Sequence, residues 1–131
     1  MKTILVVAGD EMRALIIREL GTSFPHAFSF IEAAHGQHAL LELKKLVAAD
    51  KQVLAVISEF KMSPLSGAGL IYQMDLQGYG IPVLFLSTKD VDDGIIREYS
   101  PHIIRKSSDD KAFSDALSDA IRSLVEPAPQ G

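Results

Sequence analysis

The sequence contains no cysteine. That excludes disulfides and cysteine-ligated metals, and it suits a reducing cytoplasm. No stretch approaches the roughly 20 apolar residues that span a bilayer. The opening run Ile4-Leu5-Val6-Val7 is too short for the core of a signal peptide, and Asp10 and Glu11 follow closely. Positive charge is not in excess. The net charge is −4 with acids and bases mixed, which favours solubility and argues against a dominant nucleic-acid surface. Internal repeats and low-complexity tracts are also missing. These absences lead to the expectation of a soluble cytoplasmic protein with no membrane and no direct nucleic-acid partner.

What is present is apolar residue content. At 131 residues and 47% apolar, the chain suits one domain around one core. That domain is expected over 1–125. The tail Glu126-Pro127-Ala128-Pro129-Gln130-Gly131 cannot continue a helix and reads as a linker or tail over 126–131.

Short β-branched runs alternate with helical spacing along the chain. Ile4–Val7, Phe28–Ala33, Val53–Ile57, Ile81–Leu86 and Ile103-Ile104 read as strands, the continuous ones buried on both faces. Pro82 lies near a strand start, where a missing donor is tolerated. Met12, Leu15, Ile16 and Leu20 mark a first helix over Glu11–Leu20, with Gly21 as its expected C-cap. Leu40, Leu43 and Val47 share a face of a helix over His38–Val47. Leu70, Ile71 and Met74 mark a helix ending near Gly78, and Val91–Tyr99 is a weaker helical segment. Phe113, Ala116, Leu117, Ala120, Ile121 and Leu124 mark the clearest helix, Ser108–Val125, behind a serine cap.

Five β-α units at this spacing imply parallel strands with right-handed crossovers. The expected fold is a flavodoxin-like three-layer α/β/α sandwich, (βα)5, with a five-stranded parallel sheet in the order 2-1-3-4-5. Ligands in such sheets bind beyond the carboxyl ends of the strands, where strand order reverses. Asp10 and Glu11 follow strand 1, Ser58 and Glu59 end strand 3, Ser87 and Thr88 follow strand 4, and Arg105 and Lys106 follow strand 5. Acids, hydroxyls and a lysine at one edge have the chemistry to hold Mg²⁺ and anchor a phosphoryl group. His35 and His38 have no third ligand nearby, so a metal pair is not expected there. Ser66-Gly67-Ala68-Gly69 lacks the full phosphate-loop fingerprint and reads as a turn and helix start.

These segments resemble the response-regulator receiver domains of two-component phosphorelay systems. Ile4-Leu5-Val6-Val7 with Asp10-Glu11 is similar to the first strand and acidic pair. Ala34-His35-Gly36-Gln37-His38-Ala39-Leu40 resembles the turn into the second helix. Val56-Ile57-Ser58-Glu59-Phe60-Lys61-Met62-Ser63-Pro64-Leu65-Ser66-Gly67 aligns with the phosphoacceptor strand and its loop without a gap. Ile81–Leu86 followed by Ser87-Thr88 resembles strand 4 with its switch hydroxyl, and Ile103-Ile104-Arg105-Lys106-Ser107 resembles strand 5 with its lysine. The likeness covers residues 2 to 125.

The resemblance implies that Glu59 stands at the acceptor position, where the family has aspartate. One extra methylene shifts the carboxylate by about 1 Å, a misplacement that can cost on the order of 100-fold in phosphotransfer. The stretch between Val7 and Arg13 is one residue shorter than the family pattern, and Ala8-Gly9 fall where acids are common. Asp10 or Glu11 then fills one metal-ligand position, and Asp10 with Glu59 is the implied, weak Mg²⁺ pair. Ser63, Ile103 and Ser107 replace a proline, the coupling aromatic and the proline after the lysine. Ser87 and Lys106 are retained, so Glu59 is expected to reach Lys106 as a fixed ion pair.

The implied function is a pseudo-receiver: a protein-binding regulatory module with no reaction of its own. Its partners would be a sensor kinase or an output domain, met through the face of helix 4, strand 5 and helix 5. That face comprises Val91–Tyr99, Ile103–Ser107 and the outer side of Ser108–Val125, and also serves homodimerisation in the family. One alternative is a phosphorylatable receiver using Glu59 or Ser58. Another is a flavodoxin-like cofactor-binding protein, which the acids after strand 1 and the missing phosphate cradle disfavour.

Overall fold

The structure, a computed structural model, describes residues 2–59, 65–87, 103–105 and 110–125. Five strands, β1 (Lys2–Val7), β2 (Phe28–Ala33), β3 (Val53–Glu59), β4 (Val83–Ser87) and β5 (Ile103–Arg105), form one parallel sheet in the order β2-β1-β3-β4-β5. Four helices are described: α1 (Asp10–Ser23), α2 (Gly36–Ala48), α3 (Gly67–Gln77) and α4 (Asp110–Val125). The expected helix at Val91–Tyr99, the serine cap at Ser108, and Tyr99, Lys106 and Ser107 lie outside the described residues, as does the tail 126–131.

The continuous apolar strands are continuous because both sheet faces are covered. Side chains alternate across a strand. Leu5 and Val7 therefore join Ala39, Leu43, Leu70 and Met74 under α2 and α3, while Ile4 and Val6 join Ile16, Leu20, Phe113, Leu117 and Ile121 under α1 and α4. Burying each such aliphatic side chain stabilises the fold by about 1.5–3 kcal/mol. No helix among the described residues is long and apolar enough to cross a membrane.

Two expectations are corrected. Gly21 does not end α1; the helix runs through Ser23, and the Phe24 N–H bonds the Leu20 carbonyl at 2.9 Å. The extra turn is held from the neighbouring helix. Ser118 Oγ donates to Ser23 Oγ at 2.9 Å, and the Arg122 guanidinium lies 5.7 Å from the Phe24 ring centre. In α2 the buried stripe is Gly36, Ala39 and Leu43, and Val47 faces solvent. Gly78 does end α3, in the left-handed region at φ 69°, with the Tyr79 N–H reaching back to the Met74 carbonyl.

Gly36 and Gly69 fix how the β3–α3 loop sits. A Cβ on Gly36 would lie 2.8 Å from the Leu65 carbonyl oxygen, and one on Gly69 would lie 2.6 Å from Leu65 Cδ1. The missing side chains let Leu65 wedge between the first turns of α2 and α3. Ser66 then caps α3 by accepting the Gly69 N–H at 3.1 Å. The Ser66–Gly69 stretch is thus a turn and helix start, as the sequence indicates.

Candidate functional site

The site lies where β1 and β3 end side by side, with β2 beyond β1 on one side and β4 beyond β3 on the other. Register brings the ends level: Val7 is opposite Ser58, and Glu59 is opposite Leu86, one residue before Ser87. The last residue of β3 therefore projects its side chain past the sheet edge toward the loop that opens α1.

Gly9 is the N-cap residue of α1, extended at φ −65° and ψ 163°, with no side chain to cap the helix. Its N–H donates to Glu59 Oε1 at 2.9 Å. A carboxylate near a helix N-terminus gains about 0.3–1 kcal/mol from the helix dipole at an exposed site. The longer arm of glutamate is suited to this contact, because Gly9 brings backbone, not a competing carboxylate, to the place where the receiver pattern has acids. A Cβ on Gly9 would still be 4.0 Å from Glu59 Oε1, so a methyl fits there. Gly9, Asp10, Glu11, Met12 and Glu59 line an open depression of about 390 Å³.

Arg13 organises the rest of the loop. Its guanidinium donates to the Ala8 carbonyl at 3.0 Å, to Asp10 Oδ1 at 2.6 Å and to Glu32 Oε1 at 3.3 Å. Asp10 is drawn outward, with its side chain 92% exposed. This affects metal binding. Mg²⁺ requires near-octahedral oxygen ligands. Here one Asp10 oxygen is engaged by an internal cation and one Glu59 oxygen by a backbone N–H. Among the described residues no three His, Cys, Asp or Glu side chains come together as a metal cluster. The described donor set does not fit the ion.

The structure thus brings Glu59, Asp10 and Glu11 to one depression and sets the backbone of Ser87 on the adjacent strand end. Lys106, and with it the expected ion pair to Glu59, lies outside the described residues. Ser58 is fully buried, and its hydroxyl donates to the Glu59 carbonyl at 2.8 Å. The sequence places Gly9 among the residues after strand 1, but it gives neither the Gly9 N–H nor Arg13 a role. The three-residue spacing from Asp10 to Arg13 is the available signal for the arginine.

Both histidines serve the turn into α2. His35 Nδ1 accepts the His38 N–H at 3.2 Å, and His38 Nδ1 accepts the Ala34 N–H at 3.3 Å. His38 Nε2 lies 3.4 Å from Glu42. Two of the four ring nitrogens are used by backbone donors, consistent with a capping role and not a metal pair.

No protein-family model matches the sequence, and no curated protein matches it either. Solved structures do match, and they are response-regulator receiver domains: the chain has the receiver fold. The phosphorylated cyanobacterial phytochrome response regulator RcpA superposes with a TM-score of 0.81 at 18% identity, covering 98% of this chain and 96% of its own. The Mn²⁺-bound response regulator Rcp1 gives 0.78 at 18% identity, over 99% and 98%. A CheY-like receiver domain from Methanospirillum hungatei JF-1 gives 0.72 at 18% identity, over 95% and 97%.

Proposed function

We propose that the chain is a pseudo-receiver of two-component signalling: a protein-binding regulatory module that does not accept a phosphoryl group at Glu59. The observation that carries this reading is the Gly9 N–H to Glu59 Oε1 bond of 2.9 Å. It occupies the acceptor-position carboxylate with a backbone donor. In-line attack needs a free, correctly placed carboxylate and a bound cation to neutralise developing charge. Glu59 is a methylene too long, Ala8 and Gly9 supply no acid, and Asp10 is held by Arg13. In this reading Lys106 supplies the countercharge to Glu59, and Ser87 keeps the switch-hydroxyl position.

Ser58 offers no substitute acceptor, because its hydroxyl is buried and engaged. Signal passes by binding: a sensor kinase or output domain docks on the face that includes strand β5 and the outer side of α4, in the cytoplasm. The test is intact-mass measurement after incubation with a small acyl phosphate and Mg²⁺, with a Glu59→Ala control. An unchanged mass is expected. A stoichiometric gain of about 80 Da that disappears in the control would sink the proposal.

A further inference from the structure

The turn into α2 is closed by two imidazoles. His35, the N-cap residue, accepts the His38 N–H on Nδ1 at 3.2 Å, and His38 Nδ1 accepts the Ala34 N–H at 3.3 Å. The arrangement is that of a capping box, with the return bond taken one residue earlier, at Ala34. Serine, threonine and asparagine accept such bonds at any pH. An imidazole accepts only while that nitrogen is bare, and both nitrogens carry protons once the ring is charged. Both rings must therefore hold their proton on Nε2. His38 Nε2 faces Glu42 Oε1 at 3.4 Å, as that tautomer requires.

Proton uptake then has a fixed sign. A charged ring turns a donor toward a backbone donor, so it must leave the turn. The open turn takes up more protons than the closed one. Closure is favoured at higher pH and lost as pH falls through the ordinary imidazole range, about pH 6.5. Neighbouring charge does not offset this. The ring centres are 6.1 Å apart, so two charged rings repel each other. The first turn of α2 has no acid, and the helix dipole disfavours a cation there. Glu42 attracts a charged His38, but its Oε1 is shared with Lys45 at 3.6 Å, and the His38 side chain is 42% exposed, so solvent screens the pair. Of the elements packed against α2, β1 carries only Lys2 at its opposite end, β2 only Glu32, held by Arg13, and α3 only Asp75, in its last turn. Leu65 and Ser66, which meet the start of α3, are uncharged.

We propose that the β2–α2 turn is a proton-sensitive latch: on acidification from about pH 7.5 to about 5.5, His35 and His38 release their backbone donors and the first turn of α2 opens. The opening reaches the candidate site through Gly36. A Cβ there would lie 2.8 Å from the Leu65 carbonyl oxygen, so the backbone of this turn rests on the backbone of the loop after Glu59. A proton input of this kind goes beyond the pseudo-receiver reading, and it stands whether or not Glu59 accepts a phosphoryl group.

Hydrogen exchange of the full chain, corrected for the intrinsic rate at each pH, tests it. The amides to follow are Ala34, His38 and Ala39, whose N–H bonds the His35 carbonyl at 3.0 Å. Their protection should fall about tenfold between the two pH values, while the amides of β4 keep theirs. His35→Asn and His38→Gln keep an acceptor that does not titrate in this range. Each should weaken the dependence, and the double variant should abolish it. His26→Asn, in the turn before β2, should leave it intact. Circular dichroism at the higher pH confirms that each variant is folded, and long-range ¹H–¹⁵N spectra of the parent should show both rings protonated on Nε2. Protection that is absent at the higher pH or unchanged at the lower one overturns the inference. So does a loss that persists when both histidines are replaced, or an Nδ1–H tautomer at either ring.

Discussion

Replacing Gly36 by alanine tests how the loop after Glu59 is held. The new methyl would lie 2.8 Å from the Leu65 carbonyl oxygen and 3.0 Å from Leu65 Cβ. Neither atom can swing aside: one is backbone and the other is attached directly to it. The loop or the first turn of α2 must shift. Overpacking of this kind costs about 1–3 kcal/mol, and alanine recovers at most about 1 kcal/mol through its higher helix propensity. A net loss of about 1–2 kcal/mol follows, which for a chain of this size lowers Tm by roughly 3–8 °C. Gly69→Ala is the internal control. Its methyl would meet Leu65 Cδ1 at 2.6 Å, the tip of a side chain that can change rotamer, so its cost should stay below about 1 kcal/mol. Urea denaturation followed by circular dichroism measures both. The reasoning is refuted if Gly36→Ala is as stable as the parent, or if Gly69→Ala is the more damaging change.

Two further outcomes are expected. Ser66→Ala removes the acceptor of the Gly69 N–H and should cost about 1 kcal/mol in the same urea experiment. Arg13→Met removes the donors to Ala8, Asp10 and Glu32. Because both carboxylates are largely exposed, the loss should be about 1 kcal/mol or less, with hydrogen exchange accelerating at residues 8–11 and unchanged in β4.

Much of the fold is legible in the sequence because its strands are short apolar runs at regular spacing. Ile4–Val7 cannot be a half-exposed strand, and its residues are fully buried between two helical layers. The helix boundaries are less legible because packing overrode local signals. Gly21 is an ordinary stop signal, yet contacts from α4 to Ser23 and Phe24 carry α1 past it. His35 is an uncommon N-cap, so the sequence pattern starts the helix at His38, two residues after α2 begins at Gly36. At the site, Glu59, Asp10 and Glu11 are recognisable because residue type and strand end coincide. The Gly9 contact is not recognisable in the same way, since it uses a backbone N–H that no side-chain pattern reports. The outward pull on Asp10 comes from the three-residue spacing to Arg13, which reads equally well as an ordinary exposed helix pair.

Glu59 accepts the Gly9 N–H, and in the proposed function it therefore does not take up a phosphoryl group. The Gly9 amide reports it most directly. In a ¹H–¹⁵N correlation spectrum, the Gly9 resonance of the parent should be displaced from its position in Glu59→Ala. It should stay fixed when Mg²⁺ and a small acyl phosphate are added to the parent. A Gly9 resonance that moves on that addition, together with the resonances of residues 58–59, would contradict the account.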